Sequence, residues 1–216
     1  MWYLLLTRCD DMISGMDWHA QNIKVYNESA QELAERFSGI GSRVADIERA
    51  LKLADKSDGA KVVEIGCGDG RDAVEIVKHA SMYQGFDPSI GLLNLAKFRV
   101  PSASFVLSDA SIYNYPDNLD AVFAFASLLH ISKDDLPDIF KKIHKSLRSD
   151  GILYISLKER DEYAEDTKVD QFGTRMFYFY NPSIIKRLAG DGFSIIYEEH
   201  YLKGKTPWFN LALKKV

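Results

Sequence analysis

The sequence predicts a doubly wound α/β fold: an open, mostly parallel sheet with helices on both faces and an antiparallel hairpin at one edge. Three observations predict it. Apolar runs alternate with helix-period stretches between Lys61 and Gly192, the order that builds parallel strands joined by crossover helices. Residues Leu119 to Leu129, LDAVFAFASLL, are almost continuously apolar, as in a strand buried on both faces of a parallel sheet. The last two strand-like runs follow one another with no helix between them, which implies antiparallel pairing.

Each element follows from its own pattern. From Asn27, NESAQELAERFS sets Ala30, Leu33, Ala34 and Phe37 on one helical face, and RVADIERALKLADK does the same with Val44, Ile47, Leu51 and Leu53 before SDG closes it. Two helices thus precede the first strand, KVVEI. GRDAVEIVKHA then reads as a helix, MYQGFD as a strand, SIGLLNLAKF as a helix and ASFVLSD as a strand. After the apolar fourth strand, SKDDLPDIFKKIHKSLRSDG groups Leu136, Ile139, Phe140, Ile143 and Leu147 on one face, with Pro137 tolerated only in the first turn. GILYISLKE is a strand, RDEYAEDTKVDQFG a polar loop, NPSIIKRLAGDG a short helix ending at glycine, and FSIIYEEHY with PWFNLALKK the terminal hairpin. No repeat or linker divides the chain, so residues 26–216 are expected as one domain, with leading helices within 27–56 and residues 1–25 as an N-terminal extension.

Composition narrows the class. The 216 residues carry 46% apolar and 27% charged side chains, with 27 basic and 31 acidic residues for a formal charge of −4. That balance offers no general attraction for nucleic acid phosphates. Of two cysteines, Cys9 and Cys67, the second lies inside a glycine-rich turn, which suits a reducing compartment. No apolar window reaches the roughly 18 residues that span a bilayer, and the cytoplasm is expected. Methionines at 1, 12 and 16 allow the opening stretch to be an extension or an early start. The spacing of His19, His79, His144 and His200 supports no metal site.

The segment VVEIGCGDG carries the chemistry. Gly66, Gly68 and Gly70 alternate directly after the first strand, where the ligand crevice of a doubly wound sheet lies. Glycine there admits positive φ or a close approach to the main chain. A dinucleotide turn, G-x-G-x-x-G, would place its third glycine at Arg71. Asp87 ends the second strand, where a carboxylate can accept from both hydroxyls of a ribose; it can equally cap the helix that follows. Asp109, just beyond the third strand, can accept from an exocyclic amine such as that of adenine, or simply close a turn.

Together with GFDPS, LSDA, LDAVFAFASLLHIS and SLRSDGILYIS, this pattern resembles the class I S-adenosylmethionine-dependent methyltransferases, in order and spacing from about Tyr26 to Lys215. The resemblance implies a Rossmann-like seven-stranded sheet of order 3-2-1-4-5-7-6, with S-adenosylmethionine as cofactor and S-adenosylhomocysteine as product. By position it places Glu64 and the loop Gly66, Cys67, Gly68, Asp69 and Gly70 against the methionyl part. Asp87, with Pro88 and Ser89, faces the ribose; Asp109 and Ala110 face the adenine. Ala126 and Ser127 line the passage to the methyl group, and Tyr26 covers the cofactor.

His130 follows the fourth strand where the acceptor should arrive, and an imidazole there suits a general base or a structural role. In RMFYFYNPS, Arg175, Tyr178 and Tyr180 are candidates for a substrate pocket wall, although alternate aromatics equally suit a core strand. The fourth strand lacks both an Asn/Asp-Pro-Pro-aromatic segment and a Pro-Cys pair, which disfavours methylation of DNA bases. The expected activity is methyl transfer to an O or N atom of a small-molecule acceptor by a monomer or homodimer, with no membrane or nucleic acid partner. An RNA acceptor, a non-catalytic cofactor-binding scaffold and a dinucleotide-dependent oxidoreductase stay open as alternatives.

Overall fold

The computed structural model describes residues 16–216. The expectations for residues 1–15, including Cys9, lie outside the described residues. Three helices lead: α1 (Trp18–Glu28), α2 (Ala30–Ser38) and α3 (Val44–Leu53). The sheet elements then alternate as β1 (Ala60–Ile65), α4 (Ala73–His79), β2 (Ala80–Asp87), α5 (Ile90–Arg99), β3 (Ser104–Leu107) and β4 (Leu119–Phe125). A 3-10 turn (Leu128–His130), α6 (Leu136–Ser146) and β5 (Leu147–Lys158) follow. The chain closes with β6 (Ala164–Asp170), β7 (Gly173–Phe179), α7 (Pro182–Ala189), β8 (Phe193–Lys203) and β9 (Thr206–Lys215).

The main sheet has seven strands in the order β3-β2-β1-β4-β5-β9-β8. Pairings from β3 to β5 are parallel, whereas β9 runs antiparallel to both β5 and β8. With β6 and β7 set apart as a separate two-stranded sheet, this is the expected order 3-2-1-4-5-7-6. All seven residues of β4 are buried, and they alternate between two cores. Val122 and Ala124 pack with Ile139, Phe140 and Ile143 of α6; Ala121, Phe123 and Phe125 pack with Ile47 and Leu51 of α3 and Ile76 of α4. Strand order reverses between β1 and β4, so their carboxyl ends open the crevice.

Two segments depart from expectation. Helix α1 precedes the two helices foreseen, and the boundary placed after residue 25 falls inside it. Its fully buried residues are only Asn22 and Val25, so it shows no continuous apolar stripe. The loop expected over residues 160–173 contains β6, whose face alternation carries no apolar signal because its residues are intermediate or exposed throughout. Pairing with β7 from Ala164–Phe179 to Asp170–Gly173 supplies its order. Among the described residues no helix is long and apolar enough to cross a membrane.

Candidate active site

A cavity of about 590 Å³ lies along the carboxyl ends of the strands, roofed by α1 and α2. Its floor begins at the glycine loop. Gly66 has φ +67°, and a Cβ there would stand 2.4 Å from Cβ of Ser127; its N–H and that of Cys67 donate to the Phe86 carbonyl at 2.8 and 3.0 Å. Nothing lies within 4 Å of a Cβ built on Gly68, whose bare backbone lines the cavity. Gly70, expected in the same wall, does not line it: its missing side chain admits Ala96 of α5, 3.1 Å from an added Cβ. Close helix packing, rather than a ligand, accounts for the third glycine.

Acids stand at three successive strand ends. Glu64 is 2% exposed and accepts from the Tyr83 hydroxyl at 2.6 Å. Burial, with Asp72 adding to it, pushes its carboxyl up to about 8. Asp87 accepts from the N–H groups of Gly68 (3.0 Å) and Ser89 (2.8 Å) through different oxygens; burial raises it to about 6 against these two bonds. Each oxygen keeps a second lone pair for another donor. Asp109 accepts from Ser111 through Oδ1 and pairs with His19 at 3.3 Å through Oδ2. Cys67, Asp69, Pro88 and Ala110 join the same wall, and burial first of all raises the Cys67 thiol well above its usual range. Ser89, expected beside Asp87 in the site, is instead fully buried and caps α5 by accepting from the Leu92 N–H at 3.2 Å.

Beyond β4 the chain turns through Ala126 at φ +56°, a conformation costing about 1–2 kcal/mol for an L-residue. Ala126 and Ser127 both line the cavity, and the buried Ser127 Oγ has no hydrogen-bond partner among the described residues. His130 follows. Its Nδ1 lies 2.8 Å from the Met176 carbonyl, which sets the proton on Nδ1, so Nε2 accepts from the Tyr26 hydroxyl at 2.9 Å. Burial drives the imidazole down to about 3 and the Tyr26 phenol up. Asn22 ties α1 to this group: its Oδ1 accepts from Met176 N–H at 2.8 Å and its Nδ2 donates to the Met176 carbonyl at 3.0 Å.

Of the candidates in RMFYFYNPS, Arg175 reaches the cavity, whereas Tyr178 and Tyr180 do not. Tyr178 stacks on Tyr163, and the Tyr180 hydroxyl donates to the Ile131 carbonyl at 2.6 Å. Alternation explains the split: Arg175 and Phe177 share the β7 face that meets the cavity, and Tyr178 takes the other. Sequence reasoning missed Asn22, Lys158 and Phe177, all in the wall. The strand-end position of Lys158 was a usable signal; for Asn22 there was none.

Known proteins place this architecture. Residues 62–151 match the family described as "Methyltransferase domain". The chain is 30% identical over 112 residues to a phosphoethanolamine N-methyltransferase of Triticum aestivum, covering 49% of this chain and 22% of that one. It is 28% identical over 153 residues to a ubiquinone/menaquinone biosynthesis C-methyltransferase of Campylobacter jejuni, covering 62% and 61%. The chain therefore spans from about a fifth to about three fifths of these curated relatives. The crystal structure of Burkholderia thailandensis 1,6-didemethyltoxoflavin-N1-methyltransferase, with bound 1,6-didemethyltoxoflavin and S-adenosylhomocysteine, superposes with a TM-score of 0.70 at 18% identity over 93% of this chain and 89% of that one. Residues 62–151 thus match a methyltransferase domain, set in a seven-stranded sheet whose strand order and glycine loop are those the resemblance to class I S-adenosylmethionine-dependent methyltransferases implies.

Proposed function

We propose that this protein transfers the methyl group of S-adenosylmethionine to an O or N atom of a small-molecule acceptor. One observation carries the reading: the ends of β1, β2 and β3 bring Glu64, Asp87 and Asp109 to a single cavity around a glycine-rich loop. That arrangement fits the cofactor. Gly68 leaves open space for a close approach, and Asp87 keeps acceptor capacity for ribose hydroxyls. When bound, the cofactor supplies a methyl group on a sulfonium sulfur, open to in-line displacement.

The protein's task is then to align the acceptor and exclude water. Tyr26 and α1 roof the cavity, and the strained turn at Ala126 holds Ser127 against Gly66. An acceptor O–H or N–H becomes strongly acidic once its heavy atom is methylated, so a weak base suffices to collect the proton. His130 Nε2 is that base in this reading, reached through the Tyr26 hydroxyl it already accepts from. Both His130→Ala and Tyr26→Phe should lower turnover by about 10²-fold, with a double variant little worse than either single one. At saturating cofactor, a pH–rate profile should show no inflection near 6.5, because the imidazole stays neutral down to about 3. Unchanged turnover in both variants removes the assignment.

Glu64 makes binding pH-dependent. In the ligand-free protein its carboxyl holds a proton up to about pH 8, yet only the carboxylate attracts the methionyl ammonium. Affinity for S-adenosylhomocysteine should rise between pH 6 and pH 8, approaching about tenfold per unit, and Glu64→Gln should flatten that slope. The same shift lowers the stability of the ligand-free fold as pH rises from 4.5 through 8, since the folded state retains a proton the unfolded chain has lost. Calorimetry across this range reads the first effect, and thermal melting the second.

The deciding experiment is titration with S-adenosylmethionine, S-adenosylhomocysteine and NADH, followed by a screen of small acceptors with labelled methyl groups. Binding of NADH alone would favour an oxidoreductase. Binding of the cofactor without turnover on any acceptor would favour a scaffold. Label recovered on carbon would displace the O or N assignment, an outcome the relatives named as C-methyltransferases keep in view.

A further inference from the structure

Beyond β4 the cavity changes character. Arg36, Lys158, Lys168 and Arg175 all line it. Asp170 is the carboxylate that three of them share, at 2.5 Å from Arg175, 3.6 Å from Lys168 and 3.8 Å from Arg36. Lys158 has no carboxylate within 4.0 Å among the described residues, and Asp166 nearby is paired with Arg160 and half exposed. Positive charge is therefore in excess at this end.

Two of the cations are built into the wall. Arg175 is 3% exposed; one terminal nitrogen holds Asp170, while the buried Nε has no hydrogen-bond partner among the described residues. An unsatisfied buried donor of this kind is costly unless a ligand completes it. The Lys158 ammonium sits 3.5 Å from the centre of the Phe177 ring; the Arg175 guanidinium carbon is 5.7 Å from the same ring and 5.4 Å from that of Tyr26. His130 packs on Phe177 too, with ring centres 4.7 Å apart. Two cations and the proposed base thus surround one aromatic ring. Burial, then Lys168 and Arg175, pushes the Lys158 ammonium down to about 8, as expected for a cation lacking its counter-ion.

We infer that the methyl acceptor is an apolar or aromatic molecule bearing a carboxylate or phosphate, whose anionic group is held by the Arg175 guanidinium and the Lys158 ammonium beside Phe177. This rests on the methyltransferase reading and adds the acceptor's chemistry to it. The cofactor's own carboxylate is a separate anion, belonging with the glycine loop on β1. Lys158 ends β5, two strands away, roughly 10 Å at the usual strand spacing.

The test uses protein saturated with S-adenosylhomocysteine, titrated with benzoate, phenyl phosphate, benzamide and benzyl alcohol and followed by NMR. At least one anion should bind about tenfold or more tightly than the neutral probes, and comparing benzoate with phenyl phosphate separates carboxylate from phosphate. Lys158→Met and Arg175→Met should each remove most of that preference while S-adenosylhomocysteine affinity stays within about twofold. Lys158→Met breaks no ion pair, so it decides the matter if Arg175→Met fails to fold. Neutral probes binding as tightly as the anions, no anion binding up to tens of millimolar, or a preference that survives both substitutions each overturn the inference. So does a loss of S-adenosylhomocysteine affinity equal to the loss for the anion, which would give these cations to the cofactor. Absence of S-adenosylhomocysteine binding in the unmutated protein overturns the methyltransferase reading and this inference with it; binding without anion preference overturns this inference alone.

Discussion

Asp87→Ala is expected to lower affinity for S-adenosylhomocysteine by about a hundredfold or more. Charge-assisted hydrogen bonds contribute about 1.5–3 kcal/mol each, and two ribose hydroxyls lost together amount to at least about 3 kcal/mol, or two decades in Kd. The loss does not stop at the ligand. Asp87 also accepts from Gly68 and Ser89 N–H, so the alanine frees the glycine loop and the start of α5. Asp87→Asn keeps one acceptor oxygen and should fall between the two. Because burial raises Asp87 to about 6, affinity should also decline as pH falls through that value, and this component should vanish in Asp87→Ala. Calorimetry with both variants checks the prediction; a change below about threefold in folded Asp87→Ala would remove the ribose assignment.

Gly66→Ala is expected to cost both stability and binding. The left-handed backbone at φ +67° costs an alanine about 1–2 kcal/mol, and its Cβ would meet Cβ of Ser127 at 2.4 Å, far inside contact distance. Neither side yields readily. Gly66 N–H is held by the Phe86 carbonyl, and Ser127 follows a turn already in the left-handed region at Ala126. Overpacking of this kind adds about 1–3 kcal/mol, for a total of about 2–5 kcal/mol in chemical denaturation, with cofactor binding lost. Gly68→Ala is the informative comparison. It shares the positive φ but meets no atom within 4 Å, so it should cost only about 1–2 kcal/mol of stability while its methyl group still intrudes on the cavity. Equal stability losses in the two variants would show that strain alone, and not the Ser127 contact, governs the loop.

The glycine loop, Asp87 and Asp109 were legible because they are features of chain order: each sits where a strand ends, and in a parallel sheet every such end points to the same edge. The apolar continuity of β4 was legible for a related reason, since burial on both faces removes the period from a strand. Gly70 and Ser89 were misplaced because a short motif does not say which of its residues face a ligand and which face a neighbouring helix. That choice belongs to α5, which packs Ala96 under Gly70 and takes Ser89 as its cap.

What the sequence determined by itself was the α/β class, the antiparallel terminal pair and the acidic strand ends around a glycine-rich loop, all set by local periodicity, burial preference and backbone freedom. Only the tertiary structure decided which contacts join the far half of the cavity. Asn22 lies 154 residues before the Met176 backbone it clasps, and Tyr26 lies 104 residues from His130. β6 is ordered by partners on β7 rather than by an apolar face of its own. Such contacts are set by hydrogen-bond satisfaction and charge at long range, which leave no repeating pattern along the chain to be read.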